Sequence, residues 1–259
     1  MSDLKKYTFL PFPRARGIVV DAGWLAARRH IFYGLLELDV TNARRSIQEH
    51  KRKTGEKLSF TAFIVKSLAA AVESHPMAHA YRDWLGRLVV FDEVDVVTII
   101  ETEKDRVALP HIIRAANRKS FQEISAEIRT IQTRPHVSEQ KKGINKWGAY
   151  VPAFLRRQFF GVVMSNPHWV KRLMGTVVVT SVGMFGQGGT AWGIAFLPSH
   201  TMGVTVGGIA KKPAFVEEKI EPREFLSVTL AFNHDIIDGA PAARFASKFK
   251  ELIEKGIEE

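Results

Sequence analysis

Cysteine is absent from the 259 residues, which removes disulfides, thiolate metal sites and a cysteine nucleophile from consideration. The absence accords with a reducing compartment, and a cytoplasmic location is expected. Also missing is any run of ~18 or more uncharged apolar residues, so no membrane-spanning helix is expected. The opening MSDLKKYTFLPFPRARG lacks the apolar core and small-residue cleavage site of a signal peptide. There is no internal repeat and no low-complexity tract. Acid is in short supply, with 27 Asp and Glu against 37 Lys and Arg and a net charge of +10. Such an excess favours anionic partners (a phosphorylated cofactor, an acidic protein, a membrane surface or nucleic acid) or is simply a soluble basic surface.

What is present reads as one large domain or two small ones, with 46% hydrophobic and 25% charged residues. Ile31–Asp39 reads as a strand, and Thr41 opens a charged helix ending near Lys51, Arg52 and Lys53, where cations suit the negative helix end. Leu58 to Ser74 reads as a buried helix stopped by His75 and Pro76. Leu88–Phe91, Val94–Glu101, Thr176–Val182 and Gly203–Ala210 read as strands. Ser120 and Glu123 have capping-box spacing, with Phe121, Ile124, Ile128 and Ile131 following at helical period. Leu226, Val228, Leu230 and Phe232 alternate with smaller residues at period two. A last helix opens at Gly239 and buries Phe245, Phe249, Leu252 and Ile253. Strands and helices mix without strict alternation, which predicts an α+β sandwich rather than a doubly wound sheet.

Residues 134–172 break this rhythm. Arg134–Lys146 is polar, and WGAYVPAFLRRQFFGVVMSNPHWVKRLM follows, aromatic and bracketed by Arg156, Arg157, Lys171 and Arg172. The segment reads as an insertion packed on the surface, or as a lid, a partner-docking element or a membrane-surface element.

His234 follows the alternating strand and precedes a glycine and a helix. A histidine there projects from a rigid scaffold and titrates near neutrality, as a general base requires. Asp238, four residues on, could orient a ring, pair with an arginine or cap the final helix, while Gly239 permits a tight turn. By themselves, His234 and Asp238 are as readily structural. Gly183, Gly186, Gly188 and Gly189 follow a strand without a helix behind them, so a turn is expected rather than a phosphate loop. His75 and His79 are four apart but Pro76 intervenes, and no metal is expected. Arg28-Arg29, Arg44-Arg45 and Lys51-Arg52-Lys53 come without a nucleic-acid motif, and nucleic acid is not expected.

The His234-x-x-x-Asp238-Gly239 segment resembles the signature of the chloramphenicol acetyltransferase and dihydrolipoyl acyltransferase group, the latter forming the catalytic cores of 2-oxoacid dehydrogenase complexes. Gly175–Gly186 is similar to that family's strand leading into a glycine turn, Leu58–Leu68 to its early buried helix, Ala116–Ser120 to the segment before its next helix, and Asp238–Phe245 to its last helix. These blocks occur in family order over about residues 13–132 and 173–255.

The resemblance implies a chloramphenicol acetyltransferase-like two-layer sandwich with a mixed sheet. It implies an acyltransferase in which His234 deprotonates a thiol or hydroxyl that attacks a thioester of coenzyme A or of a lipoyl group. Thr180, where the family has serine, would donate to the oxyanion, with Ser181 the adjacent alternative. Asp238 would hold the active-site loop through an arginine, Arg14 or else Arg16. The resemblance also implies a homotrimer with His234 and Thr180 from different chains, and leaves a larger assembly open. Asn233 stands where the family usually has His or Asp. The chain is short for a core carrying its own lipoyl arm, so the lipoyl group is expected free or on a separate carrier protein. A second reading is a noncatalytic trimeric scaffold that binds a partner through residues 134–172, and a third is an acyltransferase acting at a membrane surface.

Overall fold

The computed structural model describes residues 7–14, 16–101, 108–138, 151–183 and 189–257. The elements are α1 (Arg16–Ala26), β1 (Ile31–Asp39), α2 (Thr41–Thr54), α3 (Phe60–Ser74), β2 (Tyr81–Arg82), β3 (Leu88–Val89), β4 (Val96–Glu101), β5 (Ala108–Ile113), α4 (Phe121–Thr133), α5 (Ala153–Met164), α6 (Pro167–Met174), β6 (Val177–Ser181), β7 (Met202–Val216), β8 (Lys219–Asn233) and α7 (Gly239–Lys255). Local chemistry sets several ends. The Ser59 side chain accepts from the Ala62 amide at the start of α3, and Pro76 follows its last turn. Ser120 and Glu123 form the anticipated capping box on α4. Gly55, in the left-handed region, closes α2 behind its three cations.

A mixed six-stranded sheet runs in the order β1-β8-β7-β6-β4-β5, parallel only where β6 meets β7 and β4. One face is covered by helices. Val177 and Val179, Met202 and Val204, and Leu226, Val228, Leu230 and Phe232 meet Ile64, Leu68, Phe245 and Phe249 there in one buried core. The layers are those of an α+β two-layer sandwich. The other face presents the residues between these, and the register aligns Thr180, Thr205 and Thr229 in a row across three strands. Residues 189–201 cross this face, where Gly207 is obligatory: a Cβ there would lie 2.0 Å from the Ala191 carbonyl oxygen. The Gly208 amide donates to that oxygen at 2.8 Å, and the β7 register slips between Val206 and Ile209.

The structure departs from the expected elements in several places, among them the edge strand β5, which was not expected. β7 and β8 extend into a long hairpin, which polar residues and the facing Pro213 and Pro222 conceal. Glu217 and Glu218 turn it with positive φ, a geometry that usually announces itself through Asn-Gly. Leu88–Phe91 yields only the two-residue β3. Finally, α1 was not anticipated, and the aromatic stretch resolves into α5 and α6, with α5 packed against α1. Residues 139–150, the polar start of that stretch, lie outside the described residues, as do 184–188 of the glycine turn.

Candidate active site

His234 sits one residue past the end of β8. Its backbone amide donates to the His30 carbonyl at 2.8 Å, extending the β1–β8 ladder to the loop. Asn233 is buried and organises the loop beyond it. Its amide donates to Thr201, its carbonyl accepts from Ile236 and Ile237, and its side-chain oxygen accepts from Asp235 at 3.3 Å. The backbone is thus fixed on both sides while the His234 side chain stays 54% exposed. Its ring stands against Phe32, with centroids 5.0 Å apart. A rigid backbone with an accessible imidazole suits proton transfer. By contrast, burial pushes His79 and His200 down to about 4, which keeps both neutral near pH 7. They serve as internal hydrogen-bond partners, His79 to Thr176 and His200 to Ser199 and the Met174 carbonyl.

Asp238 Oδ1 lies 3.7 Å from His234 Nδ1. It occupies the N-cap position of α7, but its side chain makes no capping bond. At this separation Asp238 stands beside the imidazole without a hydrogen bond to it. The arginine partner expected in Arg14 or Arg16 is not among the contacts of Asp238 within the described residues of one chain; Arg14 precedes α1, Arg16 opens it, and both are exposed. Gly239 is outside the left-handed region, and a Cβ built on it meets nothing within 4 Å. The turn it was expected to permit therefore makes no special demand for glycine.

Thr180 lies near the end of β6, half-buried on the sheet face without helices, and Ser181 beside it is exposed. In one chain neither is near His234. Thr180 pairs with Thr205, which pairs with Thr229, five residues short of His234. Two strand spacings and five residues of rise put about 19 Å between the two positions. Phe32, His30 and Asp235 complete the surroundings of His234, with His30 Nδ1 2.8 Å from Asp235 Oδ1. The sequence reading missed all three; the pairing of the β1 start with the β8 end was the signal that could have found them. On the helix side, Phe232, Ile237, Ala242 and Phe245 line an apolar cavity of about 250 Å³, together with His75 and Arg244.

The profile of the 2-oxoacid dehydrogenases acyltransferase (catalytic domain) family matches residues 30–142 and 172–258. The chain belongs to this family. Among curated proteins, it is 27% identical over 223 residues to the dihydrolipoyllysine-residue succinyltransferase component of the 2-oxoglutarate dehydrogenase complex of Staphylococcus aureus, covering 84% of this chain and 46% of the relative. The chain thus spans about half the length of the curated relatives it matches. A probable dihydrolipoamide acetyltransferase from Listeria monocytogenes superposes with a TM-score of 0.73 at 19% identity, covering 98% of this chain and 97% of that one. The Azotobacter vinelandii dihydrolipoamide acetyltransferase, in whose catalytic mechanism roles are examined for a serine, a histidine and an asparagine, gives 0.72 at 20%, covering 98% and 93%. A chloramphenicol acetyltransferase gives 0.53 at 13%, covering 94% and 96%. These likenesses establish the chloramphenicol acetyltransferase-like fold for this member of the dihydrolipoyl acyltransferase family. The family match breaks at 143–171, within the stretch that the sequence reading set apart as an insertion.

Proposed function

We propose that this chain is an acyltransferase that moves an acyl group between a thioester carrier, coenzyme A or a lipoyl group, and a thiol or hydroxyl acceptor. The observation that carries the proposal is the exposed His234, held by its backbone beside Asp238, in a member of this catalytic-domain family. Nδ1 faces Asp238, which leaves Nε2 to take the proton of the attacking thiol. The thiolate adds to the thioester carbonyl, and the oxyanion accepts a hydrogen bond from the Thr180 hydroxyl, or from Ser181. Collapse expels the second thiolate, which recovers the proton from His234. A thiol is the easier nucleophile, since its unperturbed pKa is ~8.5.

The separation of His234 from Thr180 bears on how the chain works. A site that uses both must draw them from two chains, so we take the working form to be a homotrimer with each site between subunits. Support comes from the sheet face without helices, where Trp192, Ile194 and Phe196 are exposed at alternate positions and Tyr33 and Leu35 are exposed on β1.

The test is transfer from acetyl-coenzyme A to dihydrolipoamide by wild type and His234→Ala. Loss of the base should lower the rate by ~10²–10⁴-fold, with the molar mass by light scattering unchanged. Full activity in the variant would exclude His234 as the base.

A further inference from the structure

Helices α1 and α5 are built inside out. Asp21 of α1 is fully buried and takes Arg156 Nε at 2.6 Å and Arg157 Nε at 2.9 Å, both from α5. Gly17 makes room for this contact, since a Cβ there would lie 3.0 Å from the Arg156 guanidinium. The charges are therefore inside the helix pair, and the apolar side chains are outside. On α1, Ile18, Val19 and Val20 are exposed. On α5, Leu155, Phe159 and Val162 form an exposed stripe on one side of the helix, with Phe159 62% exposed. Helix α6, packed on α5, continues the pattern with exposed Trp169 and Leu173. Water-facing helices carry the opposite arrangement. Paired charges facing inward and apolar side chains facing outward is how helices adapt to an apolar medium.

Charge narrows the occupant. Residues 16–29 and 151–174 together hold seven Lys or Arg and one acid, the Asp21 already neutralised within. Arg16, Arg28 and Arg172 are exposed. Pairing this surface with the same surface of a second copy would oppose like charges. The three consecutive exposed residues on α1 sweep roughly 200° of the helix, wider than the stripe that a protein groove accepts. No helix among the described residues is long and apolar enough to cross a membrane, and the 12 residues of α5 reach only about 18 Å. Short helices with Trp, Phe and Leu outward and a basic surround match the interface of an anionic bilayer. We propose that α1, α5 and α6 form a docking surface for anionic membrane, lying in one leaflet rather than spanning. The proposal stands apart from the chemistry at His234, and most of this surface lies outside the residues that the family profile matches, 30–142 and 172–258.

The test is flotation of the full chain with vesicles of phosphatidylcholine alone or with 30% phosphatidylglycerol, beside L155E/F159E and R16E/R172E. Wild type should float with the anionic vesicles only and lose binding at high salt, and each variant should bind about tenfold less or weaker. Retained circular dichroism and melting temperature would show that the variants are folded. Independently of the glutamate variants, brominated lipids should quench wild-type tryptophan fluorescence, and Trp169→Phe should remove much of that quenching. Wild type remaining free of anionic vesicles, variants binding as well as wild type, or no quenching would each overturn the proposal. A molar mass that falls in L155E/F159E while wild type ignores vesicles would assign the face to contacts between copies instead.

Discussion

His234 owes its availability to backbone bonds made around it. The His30 carbonyl and the buried Asn233 hold the loop, so the imidazole itself is not needed for the fold. Gly239 is a different case, since nothing in one chain fills the space its Cβ would occupy. Gly239→Ala should therefore change stability by less than ~0.5 kcal/mol, measured by urea unfolding. A larger loss would contradict this account of the turn, while a loss of transfer without one would locate a carrier or a neighbouring chain against that position. The place of His234 just past a strand of period two was legible in the sequence, whereas a chemical role for His234 and Asp238 came only from the resemblance to the family. The place of Phe32 beside His234 was not legible, because it follows from a pairing between residues some 200 positions apart in the chain.

Among the elements, α1 and α5 show where pattern reading fails. Hydrophobic periodicity assumes that the apolar side is the buried side. In α1 the buried residue is Asp21, so the helix gives no ordinary signal. The capping box of α4 and the continuous apolar face of α3 obey the assumption, and both were readable. The Asp21 pair also has a pH signature. Burial alone would raise this carboxyl, but hydrogen bonds and charge from Arg156 and Arg157 outweigh it and hold Asp21 below the ordinary 3.8. A lowered folded pKa stabilises the folded state fully above the unfolded value, and this contribution fades as pH falls through the folded one. Asp21→Asn should cost about 3 kcal/mol at pH 7 by leaving two arginines facing a neutral group. The difference in melting temperature from wild type should hold from pH 5 to 8 and shrink below about pH 4. A difference that persisted undiminished to pH 2 would show that the carboxylate charge is not what joins the helices.

For the whole molecule, the sheet order decides what the site requires. The α+β class was legible because strands and helices did not alternate, whereas the distance between Thr180 and His234 was not, because it depends on how β6, β7 and β8 align. That alignment separates His234 from Thr180 by about 19 Å in one chain, so the proposed chemistry needs sites shared between chains. The most direct measurement is subunit complementation. His234→Ala and Thr180→Val, each deficient in transfer alone, are unfolded together in equal amounts and refolded. With His234 from one chain and Thr180 from the next, random trimers restore about a quarter of wild-type activity, since one boundary in four carries both intact residues. Activity that stays at the level of the separate variants, with mixed trimers demonstrated by mass, would contradict a site shared between subunits.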